Sequence, residues 1–96
     1  MNLNQTESRI YRSALYSSDI NPHEVRIVNR TNCFTGNSKL FGKRDLNAIT
    51  SLEKKGLIQF RTRYAHHYEW SGILHSGTKW ELATTIYEIW PAEQKQ

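Results

Sequence analysis

The run Leu46-Asn47-Ala48-Ile49-Thr50-Ser51-Leu52-Glu53-Lys54-Lys55-Gly56-Leu57-Ile58 constrains the fold more than any other part of the chain. Leu46, Ile49 and Leu52 recur at i, i+3 and i+6, with Ala48 beside them. That stripe predicts an amphipathic helix over about residues 43–55. Lys54 and Lys55 fall in its last turn, where cations complement the helix dipole. Gly56 suits the left-handed residue that closes a helix, and Leu57 can fold back onto it. The period then changes. Ile58, Phe60, Thr62 and Tyr64 alternate with Gln59, Arg61 and Arg63, the pattern of a half-buried strand. A helix handed directly to a strand of this kind implies an α+β fold.

The flanking sequence predicts the remaining elements. Asn4 followed by Glu7 has the spacing of a capping box and predicts a first helix over about residues 5–17, with Ile10, Tyr11, Ala14 and Leu15 on its apolar side. Asn21, Pro22 and Glu24 suit the N-cap, N1 and N3 of a second helix, and Ile20 and Val25 have the spacing of a hydrophobic staple. This helix would run to Arg30. The β-branched Val25, Ile27 and Val28 favour a short strand at 24–28 as the competing reading. Residues 31–42 predict a loop or frayed helix end, punctuated by Gly36-Asn37-Ser38. After the first strand, Ser71-Gly72 and His75-Ser76-Gly77 mark turns, and Thr78 to Trp90 is rich in aromatic and β-branched residues, which favours a second strand, although Trp80, Ala83, Thr84 and Tyr87 also match a helical stripe. Residues 91–96 form a polar tail on a single domain spanning 1–96.

The order helix, helix, helix, strand, hairpin, strand, together with Leu52 to Ile58, resembles the winged helix-turn-helix regulators, including the MarR-like and phage-regulator groups. Their recognition helix commonly ends in a Leu-Glu-Lys-Lys-Gly-Leu-Ile type sequence and leads into the wing. The likeness is strongest at residues 40–65. It implies three N-terminal helices followed by a β-hairpin wing and a C-terminal strand, a recognition helix at 43–55, a wing at 58–78, and duplex DNA as the partner. The ten-residue connection expected between the second and third helices is longer than the family's short turn.

Charge points the same way. Between residues 26 and 67 there are nine bases and two acids, a net +7 in a chain whose total is +4. A basic middle favours a polyanionic partner. With Leu46, Ile49 and Leu52 facing a core, 3.6-residue geometry turns Lys43, Arg44, Asn47, Thr50, Ser51 and Lys54 outward. Arg and Lys can donate to guanine and Asn can pair with adenine, so Arg44 and Asn47 are the candidates for base readout. The others would position the helix on phosphates. Arg61 and Arg63 share one face of the following strand, and His66 and His67 are expected near the tip of the wing, a second set of DNA contacts.

Other chemistries find little support. No nucleophile–base ordering, Gly-rich phosphate loop or paired carboxylate stands out, so no catalytic residue is expected and the chain does not read as an enzyme. A small basic ribonuclease fits the length and charge, but not a chain that opens with a helix. Adjacent His66 and His67 point to opposite faces of a strand, and Cys33 has no second Cys at ligand spacing, so neither a metal site nor a cofactor is expected. A lone Cys suits a reducing, cytoplasmic compartment. No signal peptide or membrane span is expected. A homodimer remains open as a partner. So does a host protein, if the scaffold serves as a virus-encoded inhibitor of a nucleic-acid enzyme.

Overall fold

In a computed structural model that describes residues 2–72 and 77–92, the chain runs α1 (Gln5–Ala14), β1 (His23–Asn32), β2 (Ser38–Phe41), α2 (Lys43–Lys54), β3 (Ile58–Ser71) and β4 (Thr78–Pro91). The strands form one antiparallel sheet in the order β2-β1-β4-β3. The turn signal at His75-Ser76 and the tail beyond Ala92 lie outside the described residues.

Each helix has one end set by local chemistry visible in the sequence. The Asn4 side chain accepts the Glu7 amide at 2.8 Å, and the Glu7 carboxylate accepts the Asn4 amide at 3.0 Å. Two orphan donors of α1 are thereby satisfied. At the end of α2 the Gly56 amide donates to Glu53 O and the Leu57 amide to Leu52 O, with Gly56 at φ 74°. This pair of bonds is the Schellman closure, and it turns the chain straight into β3.

The expected second helix is instead strand β1. Val25 and Ile27 are buried while Glu24 and Arg26 are exposed, so burial follows period two rather than 3.6. Val25, Ile27, Val28 and Thr31 are β-branched, and β4 offers a ladder from His23 opposite Ile89 to Asn32 opposite Trp80. That ladder outweighs one N-cap signal, because Asn-Pro serves equally well as a turn before a strand. Ile20, the expected staple, is exposed.

A second strand occupies the expected loop. The Asn32 side chain accepts the Phe34 and Thr35 amides, and Gly36, at φ 78°, completes the turn into β2. The described residues therefore form two helices and a four-stranded sheet. The expected arrangement of three N-terminal helices, a hairpin wing and a C-terminal strand is incorrect.

The helices cover only part of one sheet face. Ile10 and Ala14 of α1 and Ala48, Ile49 and Leu52 of α2 pack on Val25, Ile27, Ile58 and Ile89. Beyond that core the β3–β4 hairpin continues as an arm, with every β3 residue from Arg61 onward exposed. The molecule is accordingly long and thin, 62 × 27 × 17 Å. Among the described residues no helix is long and apolar enough to cross a membrane.

Candidate nucleic-acid interface

The start of helix α2 is seated by the residue before it. Gly42 is its N-cap, at φ 95°, and a Cβ there would lie 2.8 Å from Ile27 Cδ1 and 3.2 Å from Arg26 O. Only glycine combines that backbone conformation with that approach. Fixed there, α2 buries Ala48, Ile49 and Leu52 and leaves Lys43, Arg44, Asn47, Thr50 and Lys54 exposed. The sequence-predicted outward face of this helix is therefore assembled on one side, except for Ser51.

Ser51 has a structural task. Its hydroxyl donates to the Glu7 carboxylate at 2.5 Å, and Lys55 Nζ reaches the same oxygen at 2.9 Å. Glu7 is 4% exposed, so α1 and α2 are joined by a buried, fully hydrogen-bonded carboxylate. The Ser51 hydroxyl, the Asn4 amide and the Lys55 ammonium hold the Glu7 carboxyl at about 2, well below its ordinary 4.5.

A depressed pKa contributes stability that is complete above 4.5 and is lost as pH falls from there toward about 2, because the unfolded chain then binds a proton the folded chain excludes. Glu7→Gln should lower stability at neutral pH and flatten its pH dependence across that window, read by urea unfolding at a series of pH values. A slope identical to the parent's would show that the Glu7 contacts contribute nothing.

The remaining charges on α2 divide into paired and free. Arg9 Nη2 donates to Asp45 Oδ1 at 2.6 Å, which neutralises the one acid of the first turn. Lys43, Arg44 and Lys54 have no carboxylate partner among the described residues. Arg44 and Lys54 each border one of two shallow depressions along the helix. One, of about 530 Å³, lies between the first turn of α1 and Arg44, Asn47 and Ser51. The other, of about 380 Å³, is lined by Asn47, Thr50, Ser51, Lys54 and Lys55. Asn4, Gln5 and Thr6 on the α1 side were not legible as site residues, because their place beside α2 depends on helix–helix packing.

The second half of the expected interface is elsewhere. Arg61 and Arg63 alternate with the core-facing Ile58 and Phe60, so they lie on the sheet face opposite the helices. They are also neutralised there. Arg61 Nε donates to Glu88 at 2.8 Å, and Arg63 pairs with Glu24 and with Glu88 at 3.4 Å. The Arg61 hydrogen bond is the main cause of a lowered Glu88 pKa. His66 and His67 are not at a tip. They sit within β3, on opposite faces, with Glu81 at 3.5 Å from His66 and Glu69 at 3.9 Å from His67. A surface uniting α2 with Arg61 and Arg63 does not exist in this fold.

The bare part of the sheet carries aromatic groups in place of that surface. Tyr64, His66, Tyr68 and Trp70 occupy alternate positions of β3, and Tyr64 and Trp70 are 80% and 63% exposed. Phe34 packs edge-on to Trp70 with centroids 6.4 Å apart. The period-two pattern that begins at Ile58 continues unbroken through this row, which is the signal that could have revealed it. No family model, no curated protein and no solved structure matches the chain.

Proposed function

We propose that this protein is a cytoplasmic DNA-binding protein that holds duplex DNA on the outward face of α2, in the manner of a site-occupying regulator. The observation that carries the reading is the set Lys43, Arg44 and Lys54: exposed on one helix face and without an internal carboxylate among the described residues. Twelve residues make a rod about 18 Å long, and a helix of ordinary diameter fits a major groove. Lys43, Arg44 and Asn47 lie in the N-terminal half of α2, the half that commonly meets base edges. The likeness of Leu52 to Ile58 to recognition-helix endings adds support. Arg61, Arg63, His66 and His67 have no part in this contact.

The test is selection of bound sequences from random duplex DNA, followed by titration of the winner across a salt series with RNA as competitor. Enrichment of a motif and a steep fall of affinity with salt are the expected results, since neutralised phosphates release counterions. Salt-independent binding, or RNA displacing the duplex at equal concentration, would remove the reading.

One observation favours a second use, as a protein-binding inhibitor. The ring-bearing row of Tyr64, Tyr68 and Trp70 is exposed, and neither helix of the described residues covers it. Retention of a stoichiometric partner after nuclease treatment, lost in Tyr68→Ser/Trp70→Ser, would favour it. Retention unaffected by those substitutions would exclude the arm.

A further inference from the structure

The sheet face opposite the helices is charged unevenly. On its β3 side Arg61 and Arg63 are matched by Glu88 and Glu24. On its β2 side Arg30 and Lys39 are direct cross-strand partners, and neither has a carboxylate partner among the described residues. Like charges directly opposite each other destabilise a sheet. Each cation instead rests on a ring: Arg30 Cζ is 4.0 Å from the Trp80 centroid, and Lys39 Nζ is 5.2 Å from the Phe41 centroid. These contacts offset part of the repulsion. They do not supply the missing negative charge.

Between these groups is a cleft of about 170 Å³ lined by Arg30, Asn37, Ser38, Lys39, Phe41 and Trp80. It is smaller than the roughly 300–1,000 Å³ typical of pockets for drug-sized ligands, so it suits one ring system rather than a peptide segment. The Asn37 backbone is held by its bonds with Asn32 and Thr35, while its side-chain amide makes no hydrogen bond among the described residues. That amide can donate and accept toward a polar ring edge.

We propose that this cleft binds a nucleoside monophosphate unit, its base against Phe41 and Trp80 and its phosphate between Arg30 and Lys39. A doubly charged anion relieves the cross-strand repulsion, and a flat ring gains stacking on aromatic and guanidinium planes. The cleft and the outward side of α2 lie on opposite sides of the sheet. This site therefore stands independently of the duplex reading, and the nucleotide is a separate molecule or a separate strand end.

The test is titration of the full chain, followed by the indole N–H resonances in two-dimensional NMR, with the Trp80 signal assigned through Trp80→Phe. The probes are the common nucleoside monophosphates, the matching nucleosides, inorganic phosphate, phosphotyrosine and a short single strand with a 5′-phosphate. The Trp80 resonance should move with a nucleotide, and affinity should drop roughly tenfold in Arg30→Gln and in Lys39→Gln while Arg61→Gln has no effect. Because Lys39 faces a like charge, Lys39→Gln should not lower the melting temperature.

Tighter binding of the free nucleotide assigns the site to the soluble pool, and tighter binding of the 5′-phosphorylated strand assigns it to strand ends. Either outcome supports a base-plus-phosphate site. Inorganic phosphate binding as well as any nucleotide, phosphotyrosine binding better than all of them, or a static Trp80 signal would each overturn the proposal. So would a Lys39→Gln protein that melts earlier yet binds nucleotide unchanged.

Discussion

Reversing Lys43, Arg44 and Lys54 together to glutamate is expected to weaken duplex binding at least about a hundredfold, and to lower the slope of log affinity against log salt by roughly three. The slope follows from counting. Each cation that neutralises a phosphate contributes about 0.9 to it in B-DNA, and three cations are removed. The fold should survive, since all three side chains are exposed on α2 and have no ion-pair partner among the described residues. Within the set, Arg44→Ala and Asn47→Ala should cost about 1–3 kcal/mol on the preferred sequence and less on random duplex, the mark of base readout. Lys54→Ala should weaken both equally, as a phosphate contact does.

Arg61→Gln is the matched control. It removes the same charge from the other side of the sheet, where Arg61 is occupied by Glu88 and the Asp19 carbonyl. Binding should stay within about twofold of the parent, and the exposed pair should cost at most about 1 kcal/mol of stability. If the triple reversal binds as the parent does, or if Arg61→Gln loses as much as Arg44→Ala, α2 is not the DNA-contacting element.

The difference between these two arginine environments shows how far the sequence could be read. The passage from Lys43 to Ile58 was legible because all of its determinants are local: the apolar stripe, the terminal cations, the closing glycine and the onset of alternation. The capping box at Asn4 and Glu7 was legible for the same reason. His23 to Asn32 was not, because its local and non-local preferences conflict. Asn21-Pro22 signals a helix start, while the segment's partner is β4, whose paired residues are 48 to 66 positions away in the chain. No short window contains that partner.

The site divided along the same line. The outward direction of Lys43, Arg44, Asn47 and Lys54 needs only helix geometry. The side of the sheet to which Arg61 points depends on which strand face the helices cover, and its charge depends on Glu88 across the ladder. Ser51 faced outward by helix geometry alone, but Glu7 of α1 claims it. The Arg30–Lys39 opposition was hidden in the same way, since β2 was expected as loop.

Gly42→Val is expected to destabilise the protein by about 2–5 kcal/mol. Two costs combine. The left-handed conformation at φ 95° disfavours an L side chain by about 1–2 kcal/mol. A Cβ would also press on Ile27 Cδ1 at 2.8 Å and Arg26 O at 3.2 Å, and crowding of this kind adds about 1–3 kcal/mol. Ile27 Cδ1 can swing aside, but the Arg26 carbonyl belongs to β1 and cannot move without shifting the strand. A domain of 96 residues has only about 5–14 kcal/mol of stability in total, so the loss would be a large fraction of it. Gly36→Val isolates the first cost, because Gly36 is also left-handed, at φ 78°, yet a Cβ there meets nothing within 4 Å. Urea midpoints should fall in the order parent, Gly36→Val, Gly42→Val. Equal midpoints for the two variants would mean that the start of α2 is not seated against Ile27. The rotation of the helix on the sheet would then rest on the burial of Ala48, Ile49 and Leu52 and on the Glu7 contacts of Ser51 and Lys55.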